Sequence, residues 1–131
     1  MLGTREPTIY GHETLNDIHV RLEAIAKGSG FAIECRQSNH EGDLIDWIQA
    51  GGADAIVLNA GGLTHTSVAL RDAIASVPKT PVIEVHLSHI FSREPFRQQS
   101  MIAGACKGMI SGFGAESYVL GVTAAMRLLD Q

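Results

Sequence analysis

The sequence predicts a single α/β domain, spanning residues 1–131, in which a parallel β-sheet is covered by helices on both faces. Segments with helical spacing of apolar residues alternate along the chain with short apolar runs of strand length. Most of these runs are continuous rather than alternating, which is typical of parallel strands that are buried on both sides. Because parallel strands are joined by crossover helices, the alternation indicates three layers, α/β/α.

Four helices are predicted. In the first, apolar residues recur at helical spacing, at Leu15, Ile18, Leu22 and Ile25. Thr14 and Asp17 resemble a capping box at its start, although that motif prefers Glu or Gln in the later position. Glycine favours helix termination, so the helix ends at Gly28 or Gly30. The other predicted helices cover residues 40–50, 68–76 and 115–129.

Four strands are predicted. The first alternates apolar with polar or small residues, at Phe31, Ile33 and Cys35. The others are short apolar runs at residues 55–58, 82–85 and 108–110. An alternating α/β domain usually begins with a strand, whereas residues 1–12 are polar, contain Gly and Pro, and indicate a loop.

Composition excludes several classes of protein. Charged residues make up 18% of the chain and the formal net charge is −4, so no basic face for nucleic acid is expected. No apolar run approaches the roughly 20 residues that span a membrane, and residues 1–13 lack the pattern of a signal peptide. Cys35 and Cys106 have no metal-binding or redox spacing and are interpreted as core residues. We therefore expect a cytoplasmic protein.

Polar residues follow three of the predicted strands, where parallel sheets bind their ligands. They occupy positions 37–40, 59–65 and 86–89. Residues 59–67 pass through two glycines into a helix, whose N-terminal N–H groups could bind an anion. An ordinary βα loop with Thr64 or Thr66 as the N-cap explains the same pattern.

Glu84 and His86 lie two positions apart on a predicted strand and therefore share a face. A carboxylate beside a histidine holds the imidazole in one tautomer and favours its protonated form, as a general acid requires. A buried pair without a chemical role remains open. His86 and His89 have the spacing H-x-x-H, but no further ligands accompany them, so no metal site is predicted.

Two further pairs of residues contain arginine and could bind an anion or activate a base. Arg93 and Arg97 lie one helical turn apart and could together bind a carboxylate or phosphate, or form a solvated charged face. In the opening loop, the guanidinium of Arg5 would favour the phenolate of Tyr10 and make it a better base. Surface positions for both residues are the alternative.

Five segments together resemble the type II 3-dehydroquinases in order and spacing: LGTREPTIYG (2–11), QSNHEG (37–42), NAGGLTHTSVALRDA (59–73), EVHLSHIFSREPFR (84–97) and GMISGFG (108–114). The resemblance covers essentially the whole chain. It implies a flavodoxin-like fold and a dodecamer built as four trimers. It also implies conversion of 3-dehydroquinate to 3-dehydroshikimate by anti elimination through an enolate, without metal or cofactor. This reaction serves aromatic biosynthesis through the shikimate pathway, and quinate breakdown.

The resemblance also implies roles for individual residues. Tyr10 corresponds to the base that removes the C2 proton, and Arg5 to the arginine that favours its phenolate. His86 corresponds to the proton donor to the departing C1 hydroxyl, and Glu84 to the residue that orients it. The substrate ligands it implies are Asn59, His65, Arg97, the backbone amides of Leu87 and Ser88, and Asp72 from a neighbouring subunit.

The chain departs from the family pattern at its beginning. The family starts with an apolar strand and a segment of the type N-G-P-N-L-N, whereas Met1 stands where that segment would end. We therefore expect four strands rather than the family's five, and a natural protein with an upstream start. The absent strand favours one alternative function, a catalytically silent flavodoxin-like protein that binds a ligand or serves assembly.

Overall fold

The structure is a computed structural model and describes residues 15–130. Helices and strands alternate along this part of the chain, as predicted, and short 3-10 turns lie in the loops. The elements are α1 (Leu15–Gly28), α2 (Glu41–Ala50), β1 (Ile56–Leu58), α3 (Val68–Ala75), β2 (Val82–His86), β3 (Gly108–Ser111) and α4 (Glu116–Leu129).

The three strands form one parallel sheet in the order β1-β2-β3, which confirms the predicted fold class. Glu84 of β2 lies opposite Leu58 on one side and Met109 on the other. All five residues of β2 are buried. The polar residues of the central strand, Glu84 and His86, are therefore buried inside the protein.

The prediction of a fourth strand at Phe31, Ile33 and Cys35 is wrong. Residues 31–36 belong to no strand of the described chain. Ile33 packs instead against the cluster of α1 and α4 that contains Ile18. Alternation shows that a segment can present one apolar face, but a strand also needs a neighbour for its backbone hydrogen bonds, and residues 15–130 supply none here.

The helices cover the two faces of the sheet. On one face, α4 packs on all three strands and α1 packs on α4. On the other face, α2 and α3 pack together, and the cluster there includes Leu70 of α3 and Val82 of β2. Because strand side chains alternate, Glu84 and His86 share the face of Val82 and look away from α4. No helix of the described residues is long and apolar enough to cross a membrane.

The start of α3 corrects one predicted detail. Neither Thr64 nor Thr66 caps this helix. Ser67 is the N-cap, and its hydroxyl accepts a hydrogen bond from the amide of Leu70 at 2.9 Å. Thr64 lies inside a 3-10 turn at Gly61–His65 and Thr66 follows that turn, while the helix begins at Val68 as predicted. The predicted capping residue of α1, Thr14, lies outside the described residues.

Candidate active site

The centre of the candidate site is the pair formed by Glu84 and His86 on β2. Nε2 of His86 lies 2.5 Å from Oε2 of Glu84. The side chain of Glu84 is fully enclosed, and that of His86 is 6% exposed. The shared face predicted from their spacing is therefore correct. Since Nε2 is engaged by the carboxylate, Nδ1 is the nitrogen of His86 that is left for a ligand.

A third side chain reaches the same carboxylate from the loop that precedes β3. Ser100 donates its hydroxyl proton to Oε2 of Glu84 at 2.8 Å. The other carboxylate oxygen, Oε1, is buried without a hydrogen-bond partner among the described residues. One oxygen of Glu84 thus holds both of its hydrogen bonds.

The loop between β1 and α3 supplies Asn59 and His65. The amide nitrogen of Asn59 donates to the hydroxyl of Tyr118 at 2.9 Å, and its oxygen accepts from the amide of Gly61 at 3.0 Å. Nδ1 of His65 lies 2.6 Å from the carbonyl oxygen of Gln99. Both side chains are therefore held by protein partners, and the ring of His65 keeps Nε2 for a ligand.

The backbone after β2 is fixed through its carbonyl groups. The carbonyl of Leu87 accepts from the amide of Gly114 at 2.9 Å, and that of Ser88 accepts from the hydroxyl of Ser111 at 3.0 Å. The hydroxyl of Ser88 also accepts from Nη1 of Arg93 at 3.3 Å. Because a carbonyl and the following amide share one planar peptide group, the contact of the Leu87 carbonyl orients the amide of Ser88.

Arg93 and Arg97 have the spacing of one helical turn but do not lie on one helix: Arg93 follows the 3-10 turn Ile90–Ser92, and Arg97 ends the next 3-10 turn. Pro95 begins a separate 3-10 turn and restricts Glu94 to an extended conformation. Nε of Arg97 lies 2.9 Å from Oε2 of Glu94 in an ion pair, while Nε of Arg93 lies 4.0 Å from the same oxygen. A backbone hydrogen bond, followed by the charges of the two arginines, lowers the pKa of Glu94. The guanidinium of Arg97 also stacks 4.9 Å above the ring of Phe96.

Asp72 stands apart from this centre, and two other predicted residues are not described. Asp72 is exposed on α3, and no hydrogen bond or ion pair within the described chain joins its side chain to the other candidate residues. Tyr10 and Arg5 lie outside the described residues.

Sequence reasoning assigned no role to two residues that contact the site. Ser100 is one of several polar residues in a row, and Tyr118 belongs to the first turn of α4. Neither has a spacing that relates it to Glu84 or Asn59. Only the folded chain brings them together, over separations of 16 and 59 residues.

Within the described chain, neither cysteine forms a hydrogen bond with the site residues, but the charge of Glu84 acts on one of them. Burial, and then the charge of Glu84, raise the pKa of the Cys106 thiol to about 12, and burial and then Glu23 raise that of Cys35. Among residues 15–130, no three His, Cys, Asp or Glu side chains are grouped so that they could hold a metal ion.

Comparison with known proteins assigns this arrangement to a family. The sequence profile described as dehydroquinase class II matches residues 1–126. The chain belongs to the class II dehydroquinases. Among relatives of this family, the 3-dehydroquinate dehydratase of Azorhizobium caulinodans is 57% identical over 125 residues, which are 95% of this chain and 84% of that protein. The 3-dehydroquinate dehydratase of Halalkalibacterium halodurans is 52% identical over 127 residues, 95% of this chain and 87% of that one.

Solved class II dehydroquinase structures share the fold. The type II dehydroquinase of Butyrivibrio crossotus superposes with a TM-score of 0.92 at 42% identity, over 95% of this chain and 88% of that chain. That of Propionibacterium acnes gives a TM-score of 0.90 at 34% identity, over 96% and 88%. The parallel sheet that presents Glu84 and His86 is thus the architecture of this family.

Proposed function

We propose that the chain is a hydro-lyase that dehydrates 3-dehydroquinate to 3-dehydroshikimate. Family membership supports the reaction, and the buried pair of Glu84 and His86 carries the proposal structurally. A carboxylate that engages one imidazole nitrogen leaves the other to deliver a proton, which is the arrangement a general acid needs. The dehydration serves the shikimate pathway or quinate breakdown, and the expected compartment is the cytoplasm.

In the proposed reaction, the phenolate of Tyr10 removes the proton from C2 of the substrate, beside the ketone. The electrons of the broken C–H bond form an enolate, which needs stabilisation at its oxygen. Arg5 favours the phenolate of Tyr10 by its positive charge. The enolate then collapses, the C1–O bond breaks on the opposite face, and the departing hydroxyl takes a proton from His86 and leaves as water.

Substrate binding is proposed from the same resemblance and fits the chemistry of a polyhydroxylated acid. Its hydroxyl groups need several hydrogen-bonding side chains and its carboxylate needs N–H donors. The proposed ligands are Asn59, His65 and Arg97, the backbone amides of Leu87 and Ser88, and Asp72 of a neighbouring subunit. The exposed position of Asp72 on α3 is compatible with a role in another subunit's site. We propose a dodecamer, built as four trimers, as the assembly that supplies it.

The product is a conjugated enone, so turnover is followed by the rise of ultraviolet absorbance when 3-dehydroquinate is mixed with the protein. We expect Tyr10→Phe and His86→Ala each to abolish this rise while circular dichroism stays unchanged. His19→Ala, on α1, is the matched control and should retain activity. Full activity in Tyr10→Phe or His86→Ala would refute the assigned role. Calorimetric binding of a substrate analogue without turnover would instead indicate the catalytically silent binding protein.

A further inference from the structure

We infer that Ser100 is a positioning residue for the proton donor: its hydroxyl fixes the carboxylate of Glu84, which in turn fixes the imidazole of His86. The expected effect on kcat rests on the proposed function, whereas the positioning of Glu84 and His86 by Ser100 does not. Its structural basis is that Ser100 and His86 meet at the same oxygen, Oε2 of Glu84, at 2.8 and 2.5 Å. Any rotation of the carboxylate therefore disturbs both contacts together.

The direction of the Ser100 hydrogen bond is set by its other partner. The amide of Ala103 donates to the hydroxyl oxygen of Ser100 at 3.0 Å. A hydroxyl has a single proton, and an amide N–H can only donate, so the proton of Ser100 is left for Glu84. The hydroxyl therefore donates to Oε2 and holds the carboxylate in place.

The segment that carries Ser100 is anchored on both sides of it. The carbonyl of Gln99 lies 2.6 Å from Nδ1 of His65. The amide of Met101 donates to the carbonyl of Thr64 at 2.7 Å, and its carbonyl accepts from Nη1 of Arg71 at 3.0 Å. Residues 99–101 therefore tie the loop after β1 to the centre of β2. Ser100 lies between Gln99 and Met101, and the hydrogen bonds of these two neighbours fix its position.

Apart from His86 and Ser100, no residue of the described chain forms a hydrogen bond with the carboxylate of Glu84. Its second oxygen, Oε1, is buried without a hydrogen-bond partner among the described residues. The terminal torsion of a glutamate side chain is broad and has no sharp preferred angle. Without Ser100, His86 would be the single hydrogen-bond partner of the carboxylate among residues 15–130. The carboxylate could then rotate, and the orientation of the imidazole would be less well fixed.

The test compares Ser100→Ala, Ser100→Thr and Ser76→Ala in the full chain. Ser100→Thr keeps the hydroxyl. Ser76→Ala removes a comparable hydroxyl hydrogen bond, to the carbonyl of Ala73 at 2.6 Å, at the far end of α3. Two quantities are measured: kcat and KM for 3-dehydroquinate, and the ¹⁵N resonances of the histidine rings, which report which nitrogen carries the proton. The His86 resonances are assigned by their loss in His86→Ala.

We expect Ser100→Ala to lower kcat up to about a hundredfold, the loss that a misplacement of about 1 Å causes in a catalytic site. KM should change less than about twofold, because a positioning residue does not touch the substrate. At a pH at which the ring is neutral, the His86 resonances should move from the Nε2-protonated pattern toward a mixture of tautomers. Ser100→Thr should restore both quantities, and Ser76→Ala should match the unaltered protein.

Unchanged kcat and unchanged His86 resonances in Ser100→Ala would overturn the inference. So would a rise in KM with unaltered His86 resonances, because it would place Ser100 against the substrate. If the unaltered chain shows no turnover while Ser100→Ala still shifts the His86 resonances, the proposed function fails and the positioning role of Ser100 stands.

Discussion

The carbonyl oxygen of Gln99 lies 2.6 Å from Nδ1 of His65. A carbonyl can only accept, so Nδ1 carries a proton, and Nε2 is the nitrogen that can accept a hydrogen bond when the ring is neutral. In the proposed function this nitrogen accepts a substrate hydroxyl. We expect His65→Ala to raise KM about tenfold, since one hydrogen bond contributes about 0.5–1.5 kcal/mol, and to change kcat less. Steady-state kinetics of the dehydration measures both.

The control for this prediction is His19→Ala, which removes an imidazole from α1. Its kinetic constants should equal those of the unaltered chain. A KM for His65→Ala within twofold of the original value would contradict the role of His65 as a substrate ligand.

Glu84→Gln should separate the charge of the carboxylate from its shape. The amide fills the same buried space but cannot stabilise a protonated His86 by its charge. We expect kcat to fall at least about a hundredfold, within the range of about 10²–10⁴ that general acid–base catalysis contributes. Circular dichroism should show the fold retained.

Glu116→Gln is the matched control for Glu84→Gln, because it makes the same change in a surface ion pair with Arg21. An exposed pair of this kind contributes little to stability. Its kcat should be unchanged. If both substitutions lowered kcat equally, the effect would not belong to the buried pair.

Sequence reasoning predicted the parts of the fold that depend on local pattern. The continuous apolar run at residues 82–85 predicted a buried parallel strand, and β2 is that strand. The twofold period of strands then placed Glu84 and His86 on one face, and their contact follows from it. Asn59 and His65 both follow a strand in sequence, at the edge where parallel sheets bind ligands.

The remaining features depend on contacts between distant parts of the chain. The hydrogen bond of Ser100 to Glu84 requires the loop before β3 to fold back over β2, and no spacing in the sequence encodes that. Residues 31–36 show strand alternation but have no strand partner among residues 15–130. Arg93 and Arg97 have helical spacing, yet Pro95 prevents a helix through both. In these cases the structure depended on a distant contact, a neighbouring strand or the restriction that a proline places on the backbone. The periodicity of apolar residues shows none of these.

Cys106 should be a slow nucleophile in the folded protein. Burial raises the pKa of its thiol to about 12, so at pH 8 only about one molecule in ten thousand carries the reactive thiolate. In Cys35→Ser, which leaves Cys106 as the single cysteine, we expect the reaction with a chromogenic disulfide reagent to be at least about a hundredfold slower than in guanidinium. Equally fast reaction in both conditions would show that the thiol is not protected by the fold.

Gly121 allows α4 to pack closely on the sheet, and an added methyl group should weaken that packing. A Cβ at this position would lie 2.8 Å from Cγ2 of Val85 and 3.0 Å from Cγ1 of Val57. Overpacking costs about 1–3 kcal/mol, which exceeds the helix preference of roughly 1 kcal/mol that alanine gains over glycine. Gly121→Ala should therefore lower the free energy of unfolding in urea. Gly42→Ala, in α2, should raise it, because a Cβ added there meets no atom of another described segment within 4 Å. Stabilisation by both substitutions would contradict the close packing of α4 on β1 and β2.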